Sequence, residues 1–277
     1  MGKYCILFIL IPLFSYSQDL KLVWETDTLF KRPESVIFDS KHGALLVSNI
    51  NDQVPGKTGN GFISKLSLDG KVENLHWATG LDAPHGMTIY QDTLYVADRT
   101  KLSLVDTRSG QILKRIDIPG AKYLNDVSSD TQGEVFISDI FAKKIYNYKN
   151  GVVGVWLSLD TFNMPNGVLC AKDHLKILDF AKGTASTIDY KSKQIKPFST
   201  GTPNADGIVA VPNGYVISGA WQGELYFVNS KRETRTLLTL NKSQVADIWY
   251  VADKHLLIVP TLANNKVIAY QVNPKGL

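Results

Sequence analysis

Glu34, His85, Asn125, Asn166 and Asp206 share one setting. Each opens a short apolar run, in "PESVIFD", "PHGMTIY", "LNDVSSD", "PNGVLCA" and "ADGIVAV". Two carboxylates, two carboxamides and one imidazole are donors from which a hard-cation site can be built. Each also has a plain structural explanation. Asn166-Gly167 and Asp206-Gly207 are strong turn dipeptides, and a single histidine such as His85 is commonly a packed structural residue. Glu34 fits neither explanation, because it precedes no glycine and glutamate favours strands poorly.

The elements that must position these residues repeat along the chain. A sixth segment, "VADIWYV", continues the series, with Ala246 and Asp247 at the paired positions. The first apolar residue after each pair is Val36, Met87, Val127, Val168, Ile208 and Ile248, giving spacings of 51, 40, 41, 40 and 40 residues. Each unit holds about four short strands. In the third these are "VSSD", "EVFISD", "KIYNYK" and "VVGVWLS". Alternating apolar residues and turn residues fit strands throughout, and no long helical period occurs. Four-stranded units of about 40 residues are propeller blades. The chain is therefore expected to be all-β, a six-bladed β-propeller forming one domain over residues 19–277. The sixth unit ends with only three strands, while "LKLVWETD" precedes the first unit with no blade of its own. The N-terminal strand, Leu20 to Asp27, is expected to complete the last blade and close the ring.

In a propeller the first strand of every blade lines the central channel, so the five donors converge at one face of the axis. Carboxylates meeting there repel one another and are costly to desolvate, and a cation relieves both problems. Glu34, Asp206, Asn125 and Asn166 make an all-oxygen set for one divalent cation. Calcium is foremost, with magnesium, manganese and zinc as alternatives.

This ring resembles that of the calcium-dependent six-bladed propeller hydrolases, the gluconolactonase/senescence marker protein (regucalcin) family and, more distantly, the paraoxonases. The resemblance implies metal ligands at Glu34 in "RPES", Asn166 in "MPNG" and Asp206 in "NADG", with Asn125 in "YLND" beside the substrate. His85 in "APHGM" matches a histidine of the paraoxonases. The chain also departs from these patterns. Tyr123 stands where gluconolactonase-like proteins have the arginine that grips the sugar. Gly207 replaces a second metal-binding asparagine of the paraoxonases. Ser35 replaces an acid that helps bury their second calcium, although Asp126 is in place.

The resemblance implies a metal-dependent hydrolase acting on a small-molecule lactone or related ester. The cation would stabilise the carbonyl oxygen as water attacks, with Asp206 or His85 as proton acceptor. Tyr123 and Trp221 are candidate substrate-binding residues, Trp221 either as an apolar wall or as a packed indole. The rival reading is a non-catalytic propeller that recognises a glycan, peptide or partner protein around a structural metal. A third is epimerase or lyase chemistry on the same scaffold. "VISGAW" has the wrong spacing around Ser218 for a nucleophile elbow. The insertion "NINDQVPGKTGNG", Asn49 to Gly61, either overhangs the site as a lid or is a plain surface loop. Its "PGKT" lacks the first glycine of a phosphate-binding loop.

Composition bounds the rest. Residues 1–17 read as a secretory signal, with Lys3, an apolar stretch from Ile6 to Phe14 and a Ser15-Tyr16-Ser17 cleavage site. An exported protein, periplasmic or extracellular, is expected, with no membrane association after cleavage. Its loss leaves Cys170 as the one cysteine, so no internal disulfide forms. The net charge of +4 is carried by scattered lysines, which gives no nucleic-acid signal. A monomer is expected.

Overall fold

The computed structural model describes residues 19–51 and 58–277. The secretory-signal reading of residues 1–17 falls outside these residues, as do residues 52–57 of the Asn49 to Gly61 insertion.

Among the described residues twenty-four strands form six antiparallel four-stranded sheets. Strand β1 (Leu20–Glu25) comes first. Blade one is β2 (Pro33–Asp39), β3 (Ala44–Asn49), β4 (Gly61–Ser67) and β5 (Val72–Leu81). Blade two is β6 (Pro84–Tyr90), β7 (Thr93–Asp98), β8 (Lys101–Asp106) and β9 (Ile112–Asp117). Blade three is β10 (Leu124–Ser129), β11 (Val135–Asp139), β12 (Lys144–Lys149) and β13 (Val152–Ser158). Blade four is β14 (Pro165–Cys170), β15 (His174–Asp179), β16 (Thr184–Asp189) and β17 (Ile195–Thr200). Blade five is β18 (Ala205–Val211), β19 (Gly214–Gly219), β20 (Glu224–Asn229) and β21 (Thr234–Thr239). Blade six is β22 (Trp249–Val251), β23 (Leu256–Thr261) and β24 (Lys266–Val272), completed by β1. The chain is a six-bladed β-propeller, as its repeats predict.

Closure follows the expected route. β1 pairs antiparallel with β24, from Leu20 opposite Val272 to Glu25 opposite Ile268. The Trp24 indole then donates to the Leu68 carbonyl of blade one at 2.9 Å. The last blade is thus tied into the ring from both sides, with no open edge at the join.

The core is distributed as six apolar wedges, one between each pair of neighbouring blades. Between blades one and two, for example, Ile37, Leu46 and Ile63 pack with Met87, Leu94 and Val96. Alternation along each strand supplies these wedges. Both faces of a blade meet a neighbour, so inner strands such as β3 (ALLVSN) are buried throughout.

Blade six departs from the repeat. Its first strand is only three residues long, and Ala246 and Asp247 lie ahead of it. Asp247 donates its backbone N–H to the Glu34 carbonyl of blade one at 2.8 Å instead. The cause lies in β23. Pro260 has no N–H, so it accepts from Ala246 and returns nothing to the ladder.

Candidate functional site

The polar pairs sit on β-bulges, not in turns. In blades one to five the register shifts between the first strand residue and the first apolar one: Pro33/Val36, Pro84/Met87, Leu124/Val127, Pro165/Val168 and Ala205/Ile208. Each bulge adds one residue, which breaks the alternation and re-aims the side chains around it. Serines on the second strands stitch three of the bulges. Ser48 Oγ accepts from Ser35 N at 2.9 Å, Ser138 Oγ from Asp126 N at 3.0 Å and Ser218 Oγ from Gly207 N at 2.8 Å.

The glycines in these pairs are required for space, not for turn geometry. A Cβ on Gly86 would lie 2.6 Å from Asp126 Cα, and one on Gly207 would lie 2.7 Å from Asp247 Cα. The pairs of blades two, four and five therefore abut the backbone of the next blade's pair, and the axis is close-packed there.

The loops leading into the bulges are clamped by acceptors at the ends of the second strands. Asp98 Oδ1 accepts from Asp82 N and Ala83 N at 2.7 and 2.8 Å. Asp139 accepts from Lys122 N and Tyr123 N, and Asp179 from Asn163 N and Met164 N. Asn49 Oδ1 does the same for Lys31 N. These clamps fix the residues just ahead of each axial side chain, an arrangement missed in the sequence. The signal was present in the recurring Asn or Asp that closes "LLVSN", "LYVAD", "VFISD" and "LKILD".

Glu34, His85, Asn125, Asn166 and Asp206 are all buried, at 3 to 6% exposure. Two oxygens among them have no hydrogen-bond partner: Glu34 Oε2 and Asn166 Oδ1. The Asn166 side chain lies beside Asp206 and favours its charged form, while its own oxygen has no partner. Burial raises the Glu34 carboxyl well above the usual range, and the charges of Asp206, Asp247 and Asp126 add to it; Arg32 opposes them. Burial, then Asp247, pushes Asp206 up to about 7, with the Asn166 hydrogen bond pulling the other way. Carboxyls so placed hold protons near neutral pH unless another positive charge replaces them.

These donors fit a hard divalent cation. The two partnerless oxygens and the Asp206 carboxylate could serve as its ligands, with Asn125 in the same ring. Among the described residues no group of three or more histidine, cysteine, aspartate or glutamate side chains is placed to hold a metal. The donor set is thus carboxylate and carboxamide, which suits calcium better than zinc.

A second pair of acids lies one residue further along. Asp126 and Asp247 belong to blades three and six, opposite each other in the ring, and they hydrogen-bond each other. Asp126 also accepts from Val168 N at 2.6 Å and from Val127 N at 2.7 Å. Asp247 accepts from the Ser35 hydroxyl at 3.0 Å. Burial pushes Asp126 up to about 7, against its two backbone N–H donors; burial and Asp126 raise Asp247 further. The meeting of these two acids was not read from the sequence, where Asp247 stood only as the second member of the sixth pair.

His85 is held at both nitrogens. Nδ1 lies 2.7 Å from the Ala83 carbonyl and Nε2 lies 3.0 Å from the Tyr123 hydroxyl. A carbonyl only accepts, so Nδ1 carries the proton. In the neutral ring Nε2 then accepts from Tyr123. The rings meet edge-on at 4.9 Å, and Tyr123 contacts Phe141 at 5.7 Å. Trp221 is 67% exposed, which settles it as a surface indole and not a packed one. Cys170 is a half-buried free thiol pushed up to about 11 by burial, which leaves it inert at neutral pH.

The fold and the ring of buried oxygens define a six-bladed β-propeller with an acid-amide cluster at one mouth of its axis. No protein-family model matches the sequence, and no curated protein sequence matches it either. Among solved structures the chain is similar to a catalytically inactive virginiamycin B lyase from Staphylococcus aureus bound to quinupristin, with a TM-score of 0.61 and 14% identity over 93% of this chain and 97% of that one. It is also similar to an auxiliary nutrient-binding protein from Bacteroides ovatus, with a TM-score of 0.70 and 10% identity over 87% of this chain and 69% of that one. At these identities the likeness is one of fold.

Proposed function

We propose that this protein is an exported, calcium-dependent hydrolase of a lactone or related ester, with Glu34, Asn166, Asp206 and Asn125 as the cation's ligands. The observation that carries this reading is the pair of buried, partnerless oxygens, Glu34 Oε2 and Asn166 Oδ1, beside the Asp206 carboxylate. Orphaned buried oxygens cost about 1–3 kcal/mol each, more for a charged group, and persist where something binds them. When bound, the cation supplies Lewis-acid stabilisation of negative charge on oxygen.

The chain's own residues do the rest. Asn125 orients the substrate. The Tyr123 hydroxyl gives its proton to His85 Nε2 as it receives one from the attacking water, while the Ala83 carbonyl steadies the ring through Nδ1. Asp206, when charged, is the second candidate acceptor. Water adds to the carbonyl carbon, the ester C–O bond breaks, and the leaving oxygen takes the proton that His85 returns through the Tyr123 hydroxyl. The protein so proposed is a monomer released after export. No helix among the described residues is long and apolar enough to cross a membrane.

The test is turnover of a panel of lactones and aryl esters, with chelator and with calcium restored. Chelator-sensitive hydrolysis is expected. Tight calcium binding with no turnover supports the second reading, a metal-stabilised binding module. That reading is favoured by the full engagement of both His85 nitrogens and by the fold shared with a nutrient-binding protein.

A further inference from the structure

A cavity at the other end of the axis lies apart from the candidate site. It measures about 480 Å3, within the range of small-molecule sites, about 300–1000 Å3. Glu34, Asn166 and Asp206 do not line it. The cavity follows the first strands away from the bulges. Ser40, Lys41 and Gln91, in the connections that leave β2 and β6, reach its rim. Its wall is aliphatic. Met87, Val127, Val168, Ile208 and Ile248 come from five successive blades and are each almost fully buried. Trp249, half-buried, continues the lining beside Ile248.

One sign of charge reaches the inside of this cavity. Asp126 and Asp247, whose carboxyls meet at the axis, both line it. A carboxylate offers about four acceptor positions. Asp126 receives the Val127 and Val168 N–H groups, and Asp247 receives the Ser35 hydroxyl and the Ile248 N–H, so acceptor capacity is left on both. Among the described residues no arginine or histidine lines the cavity. Its lysine, Lys41, is 55% exposed at the rim and pairs with Asp92. Asp39, the third acid of the lining, is matched by the His42 ring at 2.7 Å. The central pair is thus the cavity's unmatched negative charge, and an opposite charge placed there counts for more than it would in water. A bare calcium ion asks for about six or more oxygens, which an aliphatic wall does not supply. An ammonium group asks for no more than three acceptors and brings a hydrocarbon tail with it.

We infer that this cavity binds a primary organic amine, with its ammonium group donating to Asp126 and Asp247 and its hydrocarbon tail against Met87, Val168 and Ile208. The site is distinct from the one assigned to hydrolysis and stands or falls independently of that reading. A neutral alcohol of the same length reaches the same wall without the charge, and a carboxylate of that length is repelled by the two acids.

The experiment titrates the protein with n-butylamine, n-hexylamine, 1-hexanol and hexanoate, followed by calorimetry and by tryptophan fluorescence. A hydrogen bond to a charged group strengthens binding about 10- to 100-fold, and each buried methylene about fourfold. Hexylamine should therefore bind about 10- to 100-fold tighter than 1-hexanol and roughly 15-fold tighter than butylamine, while hexanoate does not bind. Hexylamine should change the emission of Trp249, and W249F should lose that change. D247N should bring hexylamine down to the affinity of 1-hexanol and leave 1-hexanol as it was. C170F, which fills the cavity from its wall, should weaken both. Equal affinity for the amine and the alcohol overturns the inference, as does no binding of hexylamine at millimolar concentration. An emission change that survives in W249F also overturns it. So does amine binding that D247N or C170F leaves intact, since the amine is then held elsewhere. The comparison of the four ligands on the wild-type protein needs no variant to fold.

Discussion

Replacing Asp206 with asparagine should have opposite effects on the cation-free and the calcium-loaded protein. The Asp206 carboxyl sits at about 7 in the folded chain, against an ordinary value near 3.9. The folded state therefore keeps this proton through a range where the unfolded state has lost it. Stability falls as pH rises from about 4, and the loss is complete above about 7. At pH 8 the loss amounts to about 4 kcal/mol. The asparagine of D206N would carry no such charge. Burying an imperfectly partnered amide costs about 2 kcal/mol, leaving a net gain of about 2 kcal/mol at pH 8 and close to none at pH 5. For a domain of this size that is a rise in Tm of about 4 °C in chelator at pH 8. Calcium at about a hundred times its dissociation constant should stabilise the wild-type protein by about 2.7 kcal/mol, or about 5 °C, and D206N by almost nothing. Scanning calorimetry at both pH values, with chelator and with calcium, measures all four quantities. A D206N protein that is less stable than wild type in chelator at pH 8, or that keeps the wild-type calcium response, would refute the electrostatic account of the site.

Gly86→Ala forces a methyl group against the Asp126 Cα and the Asn125 carbonyl, both backbone atoms, and should cost about 3 kcal/mol or more, seen as a fall in Tm of about 6 °C. A loss within 1 °C would show that the blades part easily at the axis. Tyr123→Phe removes the hydroxyl on His85 Nε2 and should lower kcat by about 10- to 100-fold while calcium affinity, read by titration calorimetry, stays the same. An unchanged kcat would remove the tyrosine–histidine pair from proton transfer. Deleting residues up to Glu25 strips β1 from β24 and should expose an unpaired edge that drives self-association, visible by light scattering. A monomeric truncated protein with wild-type Tm would show that the closing strand is dispensable.

The repeat made most of the fold legible. A spacing that returns at 40 or 41 residues fixes blade number, and the missing fourth strand of the last unit points to the free strand at the start. The five axial residues were readable for the same reason. What escaped were features set by contact between blades. Asn166-Gly167 and Asp206-Gly207 look like turns because turn propensity is local, whereas the need for glycine comes from the backbone of the next blade. The bulges leave no mark on a period-two pattern read over four or five residues. The short first strand of blade six depends on Pro260, which lies in a different strand. The pairing of Asp126 with Asp247 needs the ring closed before the two positions can be seen to face each other.

The Asp126–Asp247 pair also faces two ways along the axis, since its charges act on Glu34. On the far side lies a cavity of about 480 Å3, walled by Val127, Val168, Ile208 and Ile248 and floored by those same two acids. Glu34, Asn166 and Asp206 do not line it. The oxygen cluster and this cavity are thus separate neighbourhoods that share one pair of acids, so a change of charge on that pair is felt on both sides.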